Sequence, residues 1–145
     1  IRNGAYERAI ARLLPDADVT AVACPLFVSL AEEGWLSGPV IELVAETYLA
    51  PMREADVDTL ILGCTHYPLL RDVIQRVMGP GVTLVDSAPA TAERVAEVLR
   101  DHGIEAPDTA RGTLRVQATD NPERVAAVGS SFFEQSIGPV EVVDL

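Results

Sequence analysis

One feature limits the fold more than any other. Short apolar runs alternate with stretches of helical spacing from one end of the chain to the other. Continuous apolar runs bounded by Pro, Gly or polar residues read as buried strands, and apolar residues at i, i+3 and i+4 read as helix. Strands that alternate with helices imply parallel sheets covered on both faces. The expected fold class is α/β, with parallel sheets flanked by helices.

The spacing predicts a helix over 5–14, a buried strand over 19–24 (VTAVAC) and a helix over 40–55 opened by Gly38-Pro39. Pro51 should kink or split that helix, since it lacks the N–H of the ladder. A strand follows over 58–64 (DTLILGC), then a helix opened by Pro68 and stopped at Gly79-Pro80-Gly81. Pro is tolerated in a first turn, where no N–H is needed. Further on come a strand over 82–86 and a helix over 91–102 with Ser87 and Thr91 as candidate N-caps. A polar loop over 104–112, a strand over 113–119, a helix starting at Pro122 and running to 137, and a strand over 140–145 complete the series.

Charge and missing residue types narrow the chemistry. The net charge is −11 over 145 residues, which argues against gripping a phosphate backbone and so against a nucleic-acid partner. All 11 basic residues are arginines. Without lysine the chain can form no Schiff base with pyridoxal phosphate and carries no Walker-type phosphate loop. Hydrophobic residues make up 48% and aromatics 5%, so the core must be aliphatic. No apolar run approaches the roughly 20 residues that span a membrane, so no membrane association is expected. Two cysteines and no signal pattern point to free thiols in a reducing cytoplasm.

In parallel sheets, ligands bind beyond the carboxyl ends of the strands. Those ends carry Cys24-Pro25, Cys64-Thr65-His66-Tyr67-Pro68 and Asp86-Ser87. The second cluster is the richest. Gly63 would allow close approach to a ligand. Cys64 would stand between the strand tip and a helix N-terminus, where dipole and free N–H groups favour a thiolate. Thr65 adds a hydroxyl, and His66 can move protons. A cysteine at a strand end is more often a small buried hydrophobe, and Cys24, followed by Leu26-Phe27-Val28, is read that way. His102 reads as an exposed residue near a helix C-terminus. Arg71 and Arg76 read as a solvated helix face, and Trp35 as either core or the border of a cleft. The spacing of Cys24, Cys64, His66 and His102 matches no zinc pattern, so no metal is expected. Cys64 and His66 could serve a hydrolase as nucleophile and base, or a thiolate could act as base toward a carbon acid.

The string LILGCTHYPLL, residues 60–70, resembles the second cysteine motif of the glutamate racemases, within the aspartate/glutamate racemase family. ACPLFVSLAEEGW, residues 23–35, is similar to that family's ACPLFVPLVEEGW, with Ser29 and Ala31 as departures. Residues 85–95 (VDSAPATAERV), Asn3-Gly4-Ala5-Tyr6 and the closing VEVVDL are also family-like, so the resemblance covers essentially the whole chain.

The resemblance implies interconversion of L- and D-glutamate, without a cofactor, by two cysteine bases on opposite faces of the α-carbon. The product would supply D-glutamate for peptidoglycan. Carried over by residue, Cys64 is the second catalytic cysteine, and Thr65 and His66 contact substrate. His66 also assists Cys64, and Glu32 is the carboxylate that pairs with His66. Cys24 matches a non-catalytic cysteine. The first catalytic cysteine, in an Asn-Thr context, belongs to an N-terminal half not represented here. By the family map, residues 1–87 are most of the second α/β domain of a two-domain fold, and 88–145 return to the first. The chain then reads as a C-terminal portion that is inactive alone, with glutamate as partner and a homodimer conceivable at full length. The competing readings are an aspartate or other amino-acid racemase of the same family, and a non-catalytic module that binds other proteins.

Overall fold

The computed structural model describes residues 4–107, 112–133 and 136–144. Asn3, residues 108–111 of the expected polar loop, 134–135 of the expected last helix and the final residue of the expected last strand lie outside them. The chain divides into two compact units, Ile1–Asp86 and Ser87–Leu145.

The first unit runs α1 (Ala5–Leu13), α2 (Pro25–Glu32), α3 (Pro39–Glu54), β1 (Thr59–Ile61), a 3-10 turn (Tyr67–Leu70), α4 (Arg71–Met78) and β2 (Thr83–Val85). β1 and β2 pair in parallel, with Leu60 opposite Leu84. Parallel partners need a crossover between them, and the 3-10 turn with α4 supplies it. Bonds from the Leu62 amide to the Val85 carbonyl (2.7 Å) and from the Thr83 amide to the Asp58 carbonyl (2.8 Å) extend the pairing at either end.

The core is one stripe of α3 against everything else. Ile41, Ala45, Leu49 and Met52 recur at helical spacing and are all buried. They form one cluster with Phe27 and Ala31 of α2, Val73 and Ile74 of α4, Leu70, and Leu60, Leu62 and Leu84 of the strand pair. Phe27 is the only aromatic among these fully buried residues, as the composition requires. This burial on both sides of Pro51 explains why α3 runs unbroken through it, and the expected split does not occur.

Three further expectations need correction. Residues 19–24 form no strand, and Val19 is 37% exposed. Their backbone finds no ladder partner. A cavity of about 1060 Å³ lies against both this segment and β1, lined also by Ile10 of α1 and Leu49 and Met52 of α3. Secondly, α2 was not foreseen, although Pro25 opens it in its first turn. Thirdly, Gly63 also makes room for protein. A Cβ there would stand 3.2 Å from the Tyr6 ring.

The second unit contains α5 (Ser87–Asp101), β3 (Val116–Ala118), α6 (Pro122–Phe133) and β4 (Val140–Val142). α5 begins at Ser87, so Thr91 lies inside it and is not its cap. β3 and β4 pair in parallel, Gln117 opposite Glu141, with α6 as the crossover. Asn121 caps α6 through its side-chain oxygen, which accepts the Arg124 amide at 3.2 Å. The parallel strands and flanking helices bear out the expected α/β class. Among the described residues, no helix is long and apolar enough to cross a membrane.

Leu70 is fully buried at the junction of the 3-10 turn and α4. Leu70→Ala in the full-length protein should lower stability by about 2–5 kcal/mol, as large-to-small core changes do. Urea denaturation measures this, and a loss below about 1 kcal/mol would show that the site collapses around the change.

Candidate active site

Beyond β1 the chain passes through buried Leu62 and through Gly63 into a turn. The Tyr67 amide donates to the Cys64 carbonyl at 3.2 Å and closes it. The Leu69 amide then donates to the His66 carbonyl at 3.1 Å and starts the 3-10 turn. Pro68 fits there because its position needs no donor. Cys64 therefore lies between the tip of β1 and the start of α4, as the spacing predicts, but not next to the helix. That helix begins at Arg71, with the 3-10 turn between them.

The turn brings the sequence-predicted residues together. Cys64 Sγ lies 3.9 Å from His66 Nδ1, and Thr65 Oγ1 lies 3.4 Å from the same nitrogen. On the other side of the ring, His66 Nε2 lies 3.3 Å from Glu32 Oε1. Glu32 comes from the last residue of α2, more than thirty positions upstream in sequence. A carboxylate at a helix C-terminus is opposed by the helix dipole, so its location there is not explained by helix stability. The His66 and Glu32 side chains are 23% and 32% exposed, so the line is partly screened yet open to solvent.

This arrangement has a direct consequence for proton placement. A carboxylate accepts and does not donate when ionised, so it favours the tautomer with its proton on Nε2. Nδ1 then offers a lone pair toward Cys64 and Thr65. A thiol beside a neutral imidazole can pass its proton there and become a nucleophile or a base. Among the described residues, no three His, Cys, Asp or Glu side chains converge as a metal site would require.

Cys24 sits elsewhere in character. It is 6% exposed, its thiol faces the Val22 carbonyl at 3.8 Å, and burial pushes its pKa up to about 11. That matches its reading as a core residue. His102 is exposed, with Nδ1 2.8 Å from the Val98 carbonyl in the last turn of α5. Trp35 is 52% exposed and does not belong to the core.

Two features escaped the sequence. Arg71 is not simply a solvated residue. It binds Asp86 at 2.6 Å and reaches the Leu84 carbonyl at 3.4 Å, tying α4 to the end of β2. Arg76 does pair in solvent, with Glu42 at 3.2 Å. Tyr67 donates its hydroxyl to the Cys24 carbonyl at 3.1 Å. Its position in the turn was visible, but nothing in sequence spacing indicates a partner forty-three residues away.

Comparison with known proteins follows the same residues. A family profile described as Asp/Glu/Hydantoin racemase matches residues 3–95. The chain belongs to this family. Glutamate racemase of Geobacter metallireducens is 48% identical over all 145 residues, which cover 54% of that protein. Glutamate racemase of Syntrophus aciditrophicus is 45% identical, again with 54% of its length covered. Among solved structures, glutamate racemase of Francisella tularensis in complex with D-glutamate aligns with a TM-score of 0.87 and 31% identity. That alignment covers 99% of this chain and 53% of the other. The Thermus thermophilus glutamate racemase, in complex with β-chloro-D-alanine, gives 0.80 and 41% over 99% and 52%. This racemase-family chain thus spans about half the length of the curated relatives it matches.

The state of Cys24 gives a pH prediction. Its folded pKa is raised from 9.0 to about 11, so the unfolded chain loses the proton first. The native state then binds more protons, and stability falls as pH rises between those two values. The urea midpoint should decline from about pH 9 to 11, and Cys24→Ala should flatten that decline. An equal slope in wild type and variant would contradict the assignment.

Proposed function

We propose that this chain is the C-terminal portion of a glutamate racemase and carries one of its two proton-transfer groups. The observation that carries the reading is the Cys64–His66–Glu32 line at the carboxyl end of β1. The racemase names of its relatives support the same conclusion.

Inversion at an α-carbon requires removal of a proton from one face and delivery to the other. Cys64, as thiolate, takes the α-proton of L-glutamate. The C–H electron pair stays on the substrate as a carbanion, and Cys64 becomes a thiol. A second thiol, from outside these 145 residues, gives its proton to the opposite face. Between turnovers the proton gained by Cys64 passes through His66 to solvent, the second thiolate takes one back from solvent, and Glu32 holds His66 in the required tautomer. The Thr65 hydroxyl and amide offer donors to a substrate carboxylate, where developing negative charge needs fixed dipoles. No cofactor takes part. D-glutamate made this way in the cytoplasm would supply peptidoglycan synthesis, and the full-length protein would be able to form a homodimer.

The domain reading belongs to the same proposal. Residues 1–87 make up most of the second α/β domain, and 88–145 return to the first. One observation supports it: the division between Asp86 and Ser87.

Racemisation assays on the full-length protein and on residues 1–145 alone test this reading. The full-length protein should convert L- to D-glutamate faster than it converts aspartate, and the 145-residue chain should form no D-glutamate. Robust activity of the short chain would overturn the two-base assignment, and a preference for aspartate would overturn the substrate.

A further inference from the structure

The Cys64–His66–Glu32 line depends on where α2 sits, and two consecutive residues of the site turn hold α2 at its two ends. His66 meets Glu32 at its last residue. Tyr67 reaches its start, donating to the carbonyl of Cys24, the residue that precedes the first turn. The Tyr67 ring stands edge-on to Phe27 of α2, with centroids 5.5 Å apart and planes at 89°. Phe27 stands in the same way against Tyr48 of α3, at 5.4 Å and 83°. Edge-to-face pairs of this kind fix orientation as well as bury area. Through its amide, Tyr67 also closes the turn that carries the thiol.

We propose that Tyr67 is a positioning residue. Its hydroxyl fixes α2 so that Glu32 meets His66 Nε2 and His66 Nδ1 faces Cys64. The proposal rests on the racemase reading for its kinetic consequence, but not for its structural one. The hydroxyl is not needed merely to cap α2, because the Cys24 carbonyl already accepts the Phe27 amide at 3.1 Å. It adds a sideways tie. Eight residues of α-helix span about 12 Å, so a tilt at the start is carried to Glu32 at the far end. Misplacement on the scale of about 1 Å is enough to slow chemistry markedly. Burial, with negative charge at Cys24 and Cys64 adding to it, raises the Tyr67 pKa to about 12, so the phenol remains a donor at any working pH.

The test is Tyr67→Phe in the full-length protein, which keeps the ring and removes the tie. Tyr48→Phe is the control. It removes the other hydroxyl of the aromatic cluster, which also meets the first turn of α2 by accepting the Leu26 amide, but at 3.4 Å and without touching the Cys24 carbonyl. Two readouts are taken, steady-state racemisation and the imidazole 15N shifts of His66. For Y67F, kcat should fall about 3- to 10-fold, the worth of one hydrogen bond, with KM within about 2-fold. Its His66 nitrogens should move from one tautomer toward a mixture. Y48F, which loses only the longer bond to Leu26, should move both readouts less than Y67F, even where it lowers stability equally. Unchanged His66 shifts in Y67F overturn the proposal whatever the activity. So does a loss of kcat that Y48F reproduces. If the wild-type protein racemises nothing, the functional reading fails, and the 15N shifts alone decide the role of Tyr67. Should Y67F fail to fold, Tyr67→Met takes its place with the same readouts, and wild-type His66 shifts in that variant overturn the proposal.

Discussion

The parallel pairing of Thr59–Ile61 with Thr83–Val85 sets the position of everything that matters in the first unit. Parallel strands end on the same side, so Cys64 and Asp86 leave the sheet at one edge. They also oblige the chain to cross over between them, and the crossover is the 3-10 turn and α4, anchored by Leu70. Arg71, the first residue of α4, then returns to Asp86 and to the Leu84 carbonyl, so the crossover is locked to the strand end it serves. A short pair of strands is marginal in isolation. What makes it stable is the stripe of Ile41, Ala45, Leu49 and Met52 on α3, which packs into one cluster with α2, α4 and both strands.

The same frame gives two cysteines opposite characters. Cys24 and Cys64 each follow an apolar run and each come shortly before a proline in the first turn of a helix. Cys24 is buried, its thiol turned to a backbone carbonyl, and burial holds it protonated. Cys64 is partly exposed and faces an imidazole that a carboxylate orients. Thiol chemistry follows environment and not residue type. The distinction lies in what the two turns bring near. The turn after Cys64 brings His66 back toward it within two residues, while α2 starts directly after Cys24.

Much of this was legible in the sequence, for identifiable reasons. Proline and glycine punctuation marked α3, α4 and α6, because those residues act through local backbone geometry. The polar string Cys64-Thr65-His66 was visible because it is contiguous. Glu32 was found through family likeness alone, since nothing local joins a helix C-terminus to a turn thirty residues later. Residues 19–24 misled because an apolar run looks the same whether or not a partner strand lies beside it. Pro51 misled because propensity yields to burial on either side of it. Tyr67 carries no signal of its partner, and Arg71 reads as solvated, because the Cys24 carbonyl and Asp86 are brought to them by packing and not by spacing.

Proton exchange at the α-carbon tests the central claim most directly. Full-length protein carrying Cys64→Ser is incubated with L-glutamate in deuterium oxide beside the wild type, and deuterium at the α-carbon is followed by mass spectrometry. The account predicts steady incorporation into D-glutamate for the wild type and a rate lower by about 10²–10⁴-fold for the variant, the range of a lost general base. Incorporation at the wild-type rate without the sulfur would contradict it.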